Sequence, residues 1–137
     1  MTSFLNLPAD EMENVPELDV LRTEEEVQLE ITDINQGMDR NNNPYLMPRF
    51  KVANDPNVKT FTKYFGLPNS SMDEARKNSA LRQLKYFCQA FEIDYSSEID
   101  LDQVIGQQGW ALLGVDENED SEYGPQNYVK RFVVPGA

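Results

Sequence analysis

Arg49, Lys51, Lys59 and Lys63 are interleaved with Tyr45, Phe50, Phe61, Tyr64 and Phe65 within residues 43–67, NPYLMPRFKVANDPNVKTFTKYFGL. Cations suit phosphates and flat apolar rings suit unstacked bases, so the stretch holds the residue types that a single-stranded nucleic acid needs. A plainer reading fits the same residues, with the aromatics in a core and the cations on a solvated sheet face.

Other chemistries are poorly supplied. The chain has no histidine, which removes Ser–His and Cys–His nucleophile pairs and most zinc sites. Its one cysteine, Cys88, excludes an internal disulfide and a thiolate metal cluster. A metal-dependent nuclease needs paired carboxylates at rigid strand ends, whereas the acids concentrate in the N-terminal segment and connecting loops. The loop at 116–122, DENEDSE, starts like a calcium-binding EF-hand. It has Ser121 where glycine is required and Asn127 where a bidentate glutamate is needed. No catalytic residue, metal or cofactor is expected.

The net charge of −12 argues against a nucleic-acid partner until its distribution is considered. Residues 1–33 hold ten acids and one base, residues 34–91 four acids and nine bases, and residues 92–137 ten acids and two bases. A mixed solvated surface does not usually sort itself in this way. The basic third contains the cation–aromatic stretch. At 137 residues and 39% apolar content the chain supports one core. It has no apolar run of membrane-spanning length. It also lacks a basic n-region followed by an apolar h-region, so a reducing, cytoplasmic setting is expected.

Residues 1–24 hold two prolines, many acids and no periodicity, which predicts an acidic, partly disordered arm. It could cover a basic groove, recruit a protein or act only as a solubilising tail. Residues 25–137 then form the domain. Val27, Leu29 and Ile31 alternate with polar residues while Ile34 is out of register, giving a strand over 25–35 bulged near Thr32–Asp33. Residues 36–43 read as a hairpin loop carrying Arg40. A second strand follows over 45–53, where Pro48 demands a bulge or an unpaired side. A third strand covers 58–65. A helix over 70–91, capped by Asn69 or Ser71, presents Ala80, Leu81, Leu84, Phe87, Cys88 and Phe91 as one apolar face, where Cys88 serves as a small hydrophobe. A helical turn near 101–105 and strands over 107–115 and 126–134 complete the chain. The fold expected is mainly β, a five-stranded barrel in the order β-β-β-α-β-β, as in the oligonucleotide-binding (OB) fold.

Several stretches carry a family likeness: ITDINQGMDRNNNPYLMPRFKV, FTKYFGLPN, LRQLKYFCQAFEID, the DLDQVIGQQG segment and the closing YGPQNYVKRFVV. In pattern and order, over residues 25–134, the chain resembles small phage-encoded single-stranded-DNA-binding proteins found among replication and recombination genes. The resemblance implies sequence-tolerant DNA binding across the second and third strands, the first hairpin loop and the last loop. Those elements hold Arg40, Tyr45, Arg49, Lys51, Lys59, Phe61, Lys63 and Tyr64, and the last loop and strand add Tyr123, Tyr128, Lys130 and Arg131. Many such proteins recruit partners through an acidic C-terminal tail. This sequence ends on a strand, so recruitment of replication or recombination proteins would fall to the N-terminal arm. An exposed edge at the second or fifth strand could allow oligomers. A module binding only proteins is the alternative. Alternation places Phe50 in the core. It sets Lys59, Phe61, Lys63 and Phe65 on one face of the third strand, so Phe61 either stacks on a base or joins the core. Phe65 or Tyr64 is assigned to the core.

Overall fold

The computed structural model describes residues 2–118 and 122–136. A short helix, α1 (Ala9–Glu13), precedes two long strands, β1 (Val27–Met38) and β2 (Pro44–Val52). Two short strands follow, β3 (Phe61–Thr62) and β4 (Phe65–Gly66). Helices α2 (Glu74–Ala90) and α3 (Leu101–Val104) then lead to β5 (Gln108–Asp116) and β6 (Gln126–Val133). The fold is mainly β. Six strands form one antiparallel sheet in the order β3-β2-β1-β5-β6, with β4 also paired to β2. Among the described residues, no helix is long and apolar enough to cross a membrane.

The expected bulge in β1 is present, because its register against β2 shifts between Ile31 and Asp33. Val27, Leu29 and Ile31 face the core before the shift and Ile34 faces it afterwards.

The third strand differs from expectation: it is two strands rather than one, and Pro48 explains why. The Pro48 carbonyl accepts from the Lys63 N–H at 3.1 Å. Its nitrogen therefore faces the same neighbour and has no proton to return. The ladder loses its reciprocal bond there and divides. Arg49 and Phe50 pair with Thr62 and Phe61, while Tyr45 and Leu46 pair with Gly66 and Phe65. Lys63 and Tyr64 fall in the gap.

α2 starts later than the sequence suggests. Asp73, not Asn69 or Ser71, caps it by accepting from the Arg76 N–H at 2.8 Å. Asn69 accepts instead from the Ser71 N–H and shapes the preceding turn. The helix buries Phe87, Cys88 and Ala90, and burial pushes the Cys88 thiol pKa up, which leaves it an inert hydrophobe. A Cβ at Gly109 would stand 2.6 Å from the Ala90 carbonyl oxygen. The end of α2 can close on β5 only because that position lacks a side chain.

Outside the N-terminal arm, where Phe4 is exposed, the aromatic residues divide by chemistry. Phe50, Phe61, Phe65, Phe87, Phe91 and Phe132 are buried. Their ring centroids lie 5.1–6.3 Å apart. Tyr64, Tyr86, Tyr95, Tyr123 and Tyr128 are exposed, as is Trp110. Tyrosine and tryptophan have a polar group to satisfy, and phenylalanine has none. Phe132 of β6 meets both Phe50 and Phe65, so the sheet curls until its two ends, β3 and β6, approach within 8 Å between Cα atoms.

The base of the N-terminal arm is tied into the sheet. Asp19 bridges to Val58, and its carbonyl accepts from the Lys59 N–H at 2.9 Å. Val20 is buried, and Arg22 pairs with Glu117. Asn127, also buried, accepts from the Leu21 N–H and donates to the Leu21 and Gly114 carbonyls. The freely projecting part is thus residues 2–18, where α1 buries nothing. Asn127→Ala removes all three bonds and leaves Leu21 unpaired, so it should cost about 1–3 kcal/mol in urea unfolding.

Candidate nucleic-acid interface

The outer face of β2 presents Arg49 and Lys51 to solvent, and Phe50 and Val52 point inward. This is the predicted alternation. Arg49 Nη1 donates to Thr60 Oγ1 at 3.1 Å, and the Arg49 carbonyl accepts from Thr32 Oγ1. The guanidinium is therefore oriented by a neutral partner and, among the described residues, forms no ion pair. Lys51 is different. Its Nζ lies 3.4 Å from Glu30 Oε2, so this cation is partly neutralised, although the exposed pair contributes little to stability.

Of the two residues offered for one core position, Phe65 or Tyr64, it is Tyr64 that stays outside, 52% exposed. Its ring stacks on Tyr45 with centroids 5.3 Å apart and planes 24° from parallel. Phe65 takes the core position. Tyr45 rests in turn on β1: a Cβ at Gly37 would stand 3.0–3.2 Å from its ring. The glycine lets the ring lie against the sheet. The result is a two-ring platform on the solvent face, four residues along β2 from Arg49 on the same face.

Phe61, counted among the binding residues with the core as its alternative, takes the alternative. It is 3% exposed with its ring 5.7 Å from Phe50, so it belongs to the core and offers no surface for a base. Both placements follow the strand's alternation: Phe61 and Phe65 share a face and turn inward together, which leaves Tyr64 on the opposite, solvent face.

Lys59 and Lys63 have diverged. Lys59 Nζ donates to the Tyr123 and Pro125 carbonyls at 3.3 and 3.4 Å. It straps the β5–β6 loop to the edge of β3, and its part in any binding is to position that loop. Lys63 lies over the Phe65 ring, 5.2 Å from Nζ to centroid, and burial lowers its amine pKa. It has no carboxylate partner: among the described residues the ion pairs are Arg22–Glu117 and Lys51–Glu30. Lys63 lines a cleft with Lys130 and Arg131 of β6.

The remaining candidates are dispersed. Arg40 is exposed in the β1–β2 turn, which Asp39 holds by accepting from the Asn41 and Asn43 N–H groups. Tyr123 is 72% exposed in the strapped loop. Tyr128 lies across Gly114, where a Cβ would come within 2.4 Å of its ring. The glutamate and aspartate at 119 and 120, and Ser121, lie outside the described residues. Among those described, no three of His, Cys, Asp and Glu are placed to hold a metal ion.

The structure therefore stacks Tyr45 with Tyr64, sets Arg49 on the same face of β2 as Tyr45, and joins Lys63 to Lys130 and Arg131. It leaves Arg40, Lys51 and Tyr128 at the periphery. No family model matches the chain, and no curated protein was found to be significantly similar to it.

Proposed function

We propose that the chain binds single-stranded DNA without catalysing a reaction, in replication, recombination or repair. The observation that carries this reading is the Tyr45–Tyr64 stack, with Tyr64 52% exposed, on the same outer face of β2 that presents Arg49 to solvent. A domain with no use for such a surface would be expected to bury rings or separate them from unpaired cations. Stacking on a ring tolerates any base, and nothing on this face resembles a device for reading base edges, so binding is sequence-tolerant. The curling of β3 toward β6, with α2 between β4 and β5, supports an OB-type barrel. In that arrangement the platform and the Lys59-strapped loop flank a single path, in keeping with the resemblance to phage single-stranded-DNA-binding proteins.

A fluorescence titration of labelled oligo-dT tests this at about 50 and about 200 mM salt. Affinity should fall steeply with salt, and duplex DNA should bind more weakly. No binding at the lower salt, or equal affinity for duplex, would refute the proposal.

The arm favours a second, compatible role in recruiting proteins, because Phe4 and Leu5 are 87% and 81% exposed. Its four acids, Asp10, Glu11, Glu13 and Glu17, are unaccompanied by any base in residues 2–18. They are tethered beside Lys59 through Asp19. Deleting residues 2–18 should tighten oligo-dT binding at low salt, and the gain should vanish at high salt, where screening removes the competition.

A further inference from the structure

Two clefts lie along one flank of α2 and share Gln83. The first, of about 320 Å³, is lined by Tyr64, Met72, Arg76 and Gln83 among others. The second, of about 300 Å³, opens between α2 and the β3–β6 seam and is lined by Lys63, Gln83, Tyr86, Lys130 and Arg131. Together they make a groove that begins at the exposed ring of Tyr64, on the sheet face described above, and ends at β6.

Its lining separates it from the rest of the surface. The chain holds twice as many acids as bases, and three further clefts among the described residues are lined by carboxylates such as Glu26, Glu92, Asp94, Glu98 and Asp100. Neither part of this groove is lined by an acid. Four cations are, and none of them has an ion-pair partner among the described residues.

Two local features create the arrangement. On α2, Arg76, Ser79, Gln83 and Tyr86 recur at the three- and four-residue steps that make one stripe of a helix. On β6, the register slips between Leu112 and Leu113, so that Arg131 faces Leu112, Val129 faces Leu113, and Lys130 is the extra residue. The bulge exposes two consecutive cations where regular alternation would have turned one inward. Tyr86, 42% exposed, places a second flat ring at the far end from Tyr64.

We infer that a single strand bound on the Tyr45–Tyr64 face leaves the sheet at Tyr64 and continues along this groove. Arg76, Lys63, Lys130 and Arg131 take its phosphates, and Tyr86 stacks one of its bases. The inference rests on the single-strand reading of the outer face and extends the site to a helix that packing alone would assign to the core. From Arg76 to Tyr86 the helix rises about 15 Å, about four phosphate spacings of a stacked strand. A single-stranded nucleic acid is favoured over an acidic peptide because the cations are accompanied by exposed rings at both ends. Lys63, half-desolvated and without a counter-ion, is the group that gains most from an incoming phosphate.

The test uses the full chain with dT oligomers of about 16 and about 4 nucleotides, the range of site sizes for one such domain. Tyr86→Leu and the double variant Lys130→Gln/Arg131→Gln alter exposed side chains, and circular dichroism confirms their folding. For the long oligomer, Tyr86→Leu should weaken binding about tenfold or more with an unchanged salt slope. The double variant should reduce that slope by about 1.4, about 0.7 for each phosphate it no longer neutralises. The short oligomer, held on the outer face, should be insensitive to Tyr86→Leu. If wild type binds the long oligomer and both variants match it, the groove is not part of the path, and the outer-face reading survives. If Tyr86→Leu acts only in chains that retain residues 2–18, the groove belongs to the acidic arm and the inference fails. If wild type binds neither oligomer, both readings fail together.

Discussion

Replacing Phe50 with alanine should lower stability by about 3–5 kcal/mol, the range for removing a large aromatic from a closed core. Phe50 is fully buried and its ring meets Phe61, Phe87, Phe91 and Phe132. Those partners come from β3, from α2 and its C-cap, and from β6, so one side chain links the third strand, the helix and the last strand. A cavity there cannot collapse without moving three elements at once. Urea unfolding followed by tryptophan fluorescence measures the loss, because Trp110 is the only tryptophan and lies on a separate strand from Phe50. A loss below about 1.5 kcal/mol would mean that the core repacks freely, and the aromatic cluster would then not be what joins these elements.

The second large effect is on binding. Tyr64→Ala should weaken oligo-dT binding by about 1–3 kcal/mol, the contribution of one stacked base. Its salt slope should match wild type, because every cation that meets a phosphate is still in place. Stability should change little, since the half-exposed ring leaves behind only its stack on Tyr45. Phe61→Ala is the paired control. It opens a hole in the core, lowers stability and leaves the affinity of the folded fraction unchanged. The reverse pattern, with Phe61 governing affinity and Tyr64 silent, would return the platform to Phe61 and contradict the burial of its ring.

That contrast shows how far residues alone lead. Local periodicity places Phe50 inward, Arg49 and Lys51 outward, and the β1 bulge beside Thr32, because each depends on one strand and the pleat. The division of the third strand depends on Pro48, a residue of the neighbouring strand. A missing donor is visible in the sequence, but the side it faces is set by the register with β1. From that one tertiary fact follows the split into β3 and β4 with Lys63 and Tyr64 between them. The burial of Phe61 and the exposure of Tyr64 follow instead from alternation once Phe65 is placed inward. The cap of α2 falls to Asp73 in a segment where several residues are competent to cap, so the sequence narrows the choice without making it. The anchoring of Leu21 by Asn127 joins residues far apart in the chain and has no local signature. Tyr86 sits in a helix whose apolar face includes Phe87, and the clefts beside α2 show what its exposed ring borders. The separation of phenylalanine from tyrosine is available from side-chain chemistry and would have identified Tyr64, Tyr86 and Tyr128 together.

Photo-crosslinking tests most directly whether a strand stacks on the Tyr45–Tyr64 platform. An oligo-dT carrying 5-iododeoxyuridine is irradiated with the full chain, and the attached peptide is identified by mass spectrometry. The account predicts attachment at Tyr64 or Tyr45, suppressed by unlabelled oligo-dT and abolished in Tyr64→Ala with Tyr45→Ala. Attachment confined to the β1–β5 face around Trp110, or none under conditions where the oligomer is bound, would contradict it.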